Sequence, residues 1–150
     1  MPGAYDVDML KRIKYISRFS TPLDSTAIAA IGEQASRNNQ RLGLTGLLMT
    51  SGGLFYQVLE GPPEAVDEVY AAIVADERHT DVLLLATEED VPSRLYPDWS
   101  MRTVDLDAAA HVRLFPLKAL IKAVFEQQRL IGNMMWAIER TVQHELRGAE

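Results

Sequence analysis

Residues 44–63 read LTGLLMTSGGLFYQVLEGPP, and this stretch decides the fold. Two apolar runs, Leu44 to Thr50 and Leu54 to Leu59, flank Ser51-Gly52-Gly53. A glycine pair tolerates the positive dihedrals of a tight turn, so the stretch reads as a β-hairpin. The second run stops at Glu60-Gly61-Pro62-Pro63. Proline in the first helical turn gives up no hydrogen bond, which predicts a helix starting there. Val66, Val69, Tyr70 and Ile73 supply its apolar face.

Working outward toward the N-terminus, Ile13 to Ser17 is a short alternating apolar segment and reads as a first strand. Thr21-Pro22-Leu23-Asp24 is turn-like, with Asp24 or Ser25 placed to cap a helix. Ile28, Ile31 and Ala35 then recur at helical spacing, with Ala27, Ala30 and Gln34 alongside, up to the polar run Arg37-Asn38-Asn39-Gln40. Gly43 permits a sharp turn into the hairpin. On the C-terminal side, His79-Thr80-Asp81 breaks the helical pattern, Val82 to Ala86 reads as a fourth strand, and the prolines of residues 92–97 exclude regular sheet. Trp99 to Leu106 alternates and reads as a fifth strand. The order is β-α-β-β-α-β-β, an α+β ferredoxin-like sheet with two helices on one face.

Beyond Asp107 the period becomes helical. Leu117, Leu120, Ile121, Val124 and Phe125 follow Pro116, and Gly132-Asn133 is expected to interrupt before Met134, Met135, Ile138, Val142 and Leu146. A C-terminal helical pair covering the other sheet face is expected, with an interface as the alternative role for part of it. The division predicted is residues 10–106 as one domain and 107–147 as a helical cap.

The chain has 150 residues, 47% of them apolar, which fits one domain with a sizeable core. Fifteen basic against 21 acidic side chains leave a net charge of −6, a poor match to a phosphate backbone, so direct nucleic-acid binding is not expected. There is no cysteine, which removes disulfides, thiol nucleophiles and thiolate metal sites and fits a reducing cytoplasm. No stretch approaches the about 20 apolar residues of a membrane span. Met1 to Met9 lacks the basic start of a secretory leader, and a cytoplasmic location is expected. His79, His111 and His144 lack metal-ligand spacing, and no phosphate loop or nucleophile elbow occurs.

Polar groups in apolar surroundings are more informative. Gln57 lies inside Leu54-Phe55-Tyr56-Gln57-Val58-Leu59, where a buried amide costs stability unless it is hydrogen-bonded. Tyr15 sits inside the first strand with a hydroxyl that wants a partner when buried. Asn38 and Asn39 end the first helix. From pattern alone Gln57 could equally face solvent at an edge, and the asparagines could simply cap.

The chain resembles the BLUF family of flavin-binding blue-light receptors. The resemblance rests on Tyr15-Ile16-Ser17, on residues 38–46 from Asn38 to Gly46, and on Phe55-Tyr56-Gln57-Val58-Leu59-Glu60-Gly61. Asp76-Glu77-Arg78-His79 and Pro97-Asp98-Trp99-Ser100-Met101-Arg102 complete it, in the family's order and spacing. It implies a non-covalently bound flavin (FAD, with FMN or riboflavin as alternatives) between the two helices. It further implies that Tyr15 gives an electron and then a proton after excitation, and that Gln57 links it to the flavin and rearranges. Asn39 would bond the C4 carbonyl and N3 edge, with Asn38 beside it. Arg78 and His79 would lie near the flavin tail, Ile31 and Leu59 among its apolar contacts. Trp99 and Met101 match the family's signal-carrying pair. Tyr56 adds a phenol beside Gln57, but strand alternation points it to the opposite face.

Such a protein senses light and is not itself an enzyme. Two alternatives use the same scaffold: a non-photoactive ligand-binding regulatory module, and a flavin oxidoreductase, for which no residue nominates a substrate site. The resemblance implies a homo-oligomer that signals to a separate partner, with a cyclic-dinucleotide phosphodiesterase and a transcriptional regulator as the two candidates. Met134, Met135 and Trp136 are the expected outward signalling surface, since methionines adapt to changed packing and tryptophan anchors interfaces.

Overall fold

The computed structural model describes residues 9–147; the N-terminal stretch read for a leader lies outside the described residues, apart from Met9. The elements in order are β1 (Leu10–Phe19), α1 (Ser25–Leu42), β2 (Thr45–Ser51), β3 (Leu54–Gly61), α2 (Pro63–Ala75), β4 (His79–Val91) and β5 (Arg102–Asp105). A 3₁₀ segment (Ala109–Leu114) and a long helix α3 (Pro116–Leu146) follow. The strands form one sheet in the order β4-β1-β3-β2-β5. β3 is antiparallel to both β1 and β2, β4 is antiparallel to β1, and β5 joins β2 in parallel.

The hairpin that decides the reading is present. Gly52 and Gly53 take φ of 54° and 81°, the left-handed pair that a two-residue turn between Ser51 and Leu54 requires. Asp24 caps α1 by accepting from the Ala27 backbone N–H at 2.8 Å. α2 begins at Pro63, as the proline pair predicts. α1 also lies hard against β5: a Cβ at Gly32 would sit 2.1 Å from Thr103 Oγ1, so a side chain there would force helix and strand apart.

Strand alternation divides the core in two. Ile13, Leu44, Leu48, Phe55, Leu59, Val66 and Met101 fill the space between the sheet and the α1/α2 layer. Ile16, Leu54, Val104, Leu106, Ile121 and Phe125 fill the opposite face beneath the start of α3. Burying one such aliphatic side chain contributes roughly 1.5–3 kcal/mol, so both layers are needed for the sheet to hold. Tyr56 packs on the α3 side, as its position in the strand requires.

Three boundaries differ from the sequence reading. β4 runs 13 residues and includes His79-Thr80-Asp81. It keeps pairing with β1 through three register shifts, with Asp81 and Asp90 at positive φ of 50° and 53°. Extra residues of this kind bend an edge strand and, with its charges, discourage pairing with another chain. Their polar side chains hide the alternation that marks a strand. β5 is shorter than expected, and Trp99 precedes it in irregular backbone.

The third difference is at the C-terminus. Gly132-Asn133 does not interrupt α3, which continues for 31 residues. An interior glycine costs about 1 kcal/mol, too little to break a helix of this length. The C-terminal pair is therefore the 3₁₀ segment and the single helix. Only the first half of α3 covers the sheet; from Arg129 to Arg147 every residue is exposed.

Candidate functional site

Tyr15 and Gln57 face one another at the centre of the sheet, as register partners on β1 and β3 with Leu48 of β2 completing the row. Both are buried, at 1% and 4% exposure, which removes the reading of Gln57 as a solvent-facing edge residue. The Tyr15 hydroxyl donates to Gln57 Oε1. Burial, aided by Tyr70 and Asp76, pushes the phenol pKa far above its usual range, so the proton stays on Tyr15 and fixes the direction of the bond. The other end of the amide is held more loosely. Gln57 Nε2 donates to the Met101 thioether sulfur at 3.6 Å, and a thioether is a weak acceptor.

Met101 is thus inside, 8% exposed, while Trp99 is outside, 42% exposed. Trp99 stacks on Tyr96 with ring centroids 5.5 Å apart and planes 10° from parallel. Between them, Ser100 is tied to α1. Asn39 Nδ2 donates to the Ser100 carbonyl at 2.7 Å, and the Ser36 and Ser100 hydroxyls lie 2.6 Å apart. Asn39 is 1% exposed and does more than cap a helix; Asn38, one position earlier, is exposed.

Two residues further along β1, Ser17 Oγ and His79 Nδ1 are 2.8 Å apart, and the imidazole and Phe55 ring centroids are 4.4 Å apart. Burial holds the His79 pKa below its usual value, against the opposing pull of Asp76. Arg78 is folded back onto Asp76 through Nε at 3.0 Å, and this hydrogen bond holds the carboxyl below its usual range.

A cavity of about 370 Å³ opens above Tyr15, Leu48, Phe55 and Gln57, between α1 and α2. Ile31, Ala35 and Leu42 form one apolar wall, and Val69, Ala72 and Ile73 the other. Its polar lining comes from Gln34, Asn38, Asn39 and Arg41 on α1 and from Asp76, Arg78 and His79 beyond α2. A slot with apolar walls, amides on its floor and one side, and charged residues in its lining suits a heteroaromatic ring with one polar edge and a polar tail. Because its amide N–H is engaged only by sulfur, Gln57 retains hydrogen-bonding capacity for such an edge.

Tyr15, Ile31, Asn38, Asn39, Gln57, Arg78 and His79 therefore line one cavity. Leu59 does not. It is fully buried two residues further along β3, in the core with Leu44, Leu48, Phe55 and Val66. Met134, Met135 and Trp136 are remote, 54–60% exposed on the outer half of α3. Gln34 and Asp76, which have no site role in the sequence reading, also line the cavity, and Ser17 supports it through His79. Gln34 carried a usable signal, standing one helical turn from Ile31 and from Asn38. A wider cleft of about 990 Å³ lies between the hairpin and α3, but two of its cations are already paired, Lys118 with Asp107 at 3.0 Å and Arg18 with Asp81 at 3.6 Å. It contains no group that the chemistry of Tyr15 and Gln57 could use.

The family described as BLUF, sensors of blue-light using FAD, matches residues 10–102. The chain belongs to the BLUF family. Photoactivated adenylate cyclase subunit beta of Euglena longa is 32% identical over 108 residues, covering 71% of this chain and 12% of that protein. Subunit alpha from Euglena gracilis is 33% identical over 130 residues, covering 85% of this chain and again 12% of that protein. The chain thus spans about an eighth of the length of the curated relatives it matches. Among solved structures, a bacterial light-regulated adenylyl cyclase superposes with a TM-score of 0.76 at 39% identity, over 83% of this chain and 36% of that one. BlrB, a BLUF protein in its dark state, gives 0.62 at 32% identity, over 80% of this chain and 98% of that one. This BLUF chain is a flavin-photoreceptor module, and its Tyr15–Gln57 pair is the hydrogen-bonded pair typical of the family's signalling.

Proposed function

We propose that this BLUF module holds FAD in the slot between α1 and α2 and converts blue light into a rearranged hydrogen-bond network around Gln57. One observation carries the proposal: Tyr15 donates to the carbonyl end of a buried Gln57 amide whose other end is held only by a thioether. The bound flavin supplies absorption in the blue and, once excited, an electron acceptor. Ile31 and the opposing α2 residues would hold the ring, Asn38 and Asn39 would serve its polar edge, and Arg78 with His79 would receive the tail; all of these line the cavity, with Val69, Ala72 and Ile73 from α2. Tyr15 is the electron and proton donor. Its hydroxyl already points along a hydrogen bond to Gln57 Oε1, so the proton has a path when the phenol is oxidised.

Gln57 is the switch because an amide carries an acceptor at one end and a donor at the other. Rotation or tautomerisation exchanges what it presents, at the cost of the bond from the Tyr15 hydroxyl and a weak contact to a thioether. A single hydrogen bond nets about 1 kcal/mol, small enough for alternative networks to lie close in energy. Met101 senses the amide directly, and Ser100 and Trp99 adjoin it in the chain. We assign residues 10–106 to sensing and 107–147 to relay, with Met134, Met135 and Trp136 on the relay's exposed surface. The effector is proposed to act on cyclic nucleotides, whether as a separate protein or further along a longer chain. Support comes from the cyclase relatives and from the structure of Klebsiella pneumoniae BlrP1 with FMN and cyclic diGMP, 30% identical over 79% of this chain.

The test is absorption spectroscopy of the flavin-loaded protein before, during and after blue illumination. A reversible red shift is expected. A colourless protein after reconstitution with FAD, or one that only bleaches, contradicts the proposal.

A further inference from the structure

Glu60 is a fully buried carboxylate that the photochemistry does not use. It stands at the far end of β3 from the hairpin, three residues beyond Gln57. Glu88, Arg12, Glu60 and Thr45 are register neighbours in one row across β4, β1, β3 and β2. Arg12 donates through Nε to Glu60 Oε2 at 2.9 Å, reaches Glu88 with another guanidinium nitrogen, and gives a third bond to the Ser93 carbonyl at 3.0 Å.

The remaining acceptor capacity of Glu60 goes to the segment between β4 and β5. Its carboxylate accepts the backbone N–H of Leu95 at 3.0 Å and of Tyr96 at 2.6 Å. Arg94 ties the same segment down with bonds to Thr45 Oγ1 at 2.9 Å and to the Gly43 carbonyl at 2.8 Å. A buried carboxylate is costly unless its lone pairs are met by charged or backbone donors; here one donor is the Arg12 guanidinium of β1 and the other two are backbone N–H groups of one strap. The strap carries Tyr96, whose ring is the platform on which Trp99 stacks. The Trp99 carbonyl is in turn fixed by the Gly46 N–H at 2.9 Å.

We propose that Glu60 is a positioning residue that, through the strap of residues 92–98 and the Tyr96 ring, holds Trp99 outside and so leaves Met101 against Gln57. It rests on the reading of Gln57 as the switch, and it adds the element that sets which side chain the switch meets. The carboxylate acts on the backbone of Leu95 and Tyr96, Tyr96 acts on Trp99, and Glu60 itself touches neither Gln57 nor the slot. Releasing the strap frees Trp99 to compete with Met101 for the place beside the amide.

The experiment uses the full chain with Trp136→Phe, so that Trp99 is the sole tryptophan, loaded with FAD. Glu60→Gln keeps the shape of the side chain but sets an amide donor against the N–H groups the carboxylate accepts. Tyr96→Leu removes the stacking platform from a surface strap and leaves the buried row intact. Two quantities are read: acrylamide quenching of Trp99 in the dark, and the rate at which the light-induced red shift decays. In both variants Trp99 is expected to become less accessible to acrylamide, and the decay rate to change by roughly tenfold, the effect of about 1.4 kcal/mol on a barrier. If Glu60→Gln fails to fold, Tyr96→Leu alone decides the matter. Unchanged Trp99 accessibility with an unchanged decay rate overturns the proposal, as does a Trp99 that merely becomes more solvated. Absence of any red shift in the parent refutes the photochemical reading instead, and the dark acrylamide measurement still judges the strap.

Discussion

The two faces of the sheet are built from the same strands and differ in what they enclose. Under α1 and α2 the strands present Tyr15, Gln57 and Met101 together with apolar walls, and the helices stand apart enough to leave a slot. Under α3 they present Ile16, Leu54, Val104 and Leu106, which Ile121 and Phe125 close. The buried polar side chains that line the slot have specific partners, whereas the layer directly beneath α3 is closed by apolar packing. The difference teaches where a ligand can act: a hydrogen-bond network can be rewired within about 1 kcal/mol per bond, but a packed apolar layer cannot. Beyond the packed turns, α3 continues as an exposed helix bearing Ile131, Met134, Met135, Trp136, Ile138 and Val142. It joins a rigid attachment to a surface open to other molecules.

The sharpest way to break this contrast is to disable one face and read both. Gln57→Leu and Tyr15→Phe are each expected to abolish the normal red shift completely while the flavin stays bound. Absorption before and after illumination checks this, and a full-sized shift in either variant means that the pair is not the switch. Phe125→Ala on the opposite face should cost about 3–5 kcal/mol in a denaturant titration while the shift persists, because the cavity it leaves is in the α3 layer.

A smaller effect tests the link between helix and strand. Asn39→Ala removes the donor to the Ser100 carbonyl and one polar wall of the slot. Loss of such a buried bond costs about 1–3 kcal/mol, so flavin affinity should fall by roughly tenfold in a fluorescence titration.

Smaller again is a pH effect. Burial depresses the His79 pKa below the ordinary 6.5, so the unfolded chain takes up a proton that the folded chain refuses. The stability contribution is complete above about pH 6.5 and is lost as pH falls below it toward the folded-state value. Denaturation midpoints at pH 7.5 and 5.5 should separate in the parent and draw together in His79→Gln. At the bottom of the scale, Trp136→Ala on exposed α3 should change stability by no more than about 0.5 kcal/mol and leave the red shift intact.

The sequence was most legible where periodicity and turn chemistry agreed. The Gly52-Gly53 hairpin, the proline start of α2 and the Asp24 cap are local signals, and all three are present. Element order followed from them. β4 was read short because bulges place Asp81 and Asp90 in a strand and disturb its two-residue period. Gly132 reads as a stop that would divide α3 into two helices, although its cost is small beside that of ending a long helix. At the site, Tyr15 and Gln57 stood out as polar residues in apolar strands, while the resemblance supplied their pairing. Leu59 shares its strand face with Gln57 and Phe55 and is buried in the core beneath the slot. The Glu60 strap was invisible because a glutamate at a strand end reads as solvated. Its burial depends on Arg12, 48 residues away in sequence.

The most direct test of the account is an infrared difference spectrum between dark and illuminated protein loaded with FAD, recorded for the parent and for Gln57→Leu. Rearrangement of Gln57 should shift the flavin C4 carbonyl stretch to lower frequency, as a strengthened hydrogen bond requires. The parent should return to its starting spectrum in the dark, and Gln57→Leu should lack this shift. A carbonyl band that stays in place while the visible spectrum moves, or one that moves equally in Gln57→Leu, would contradict the account.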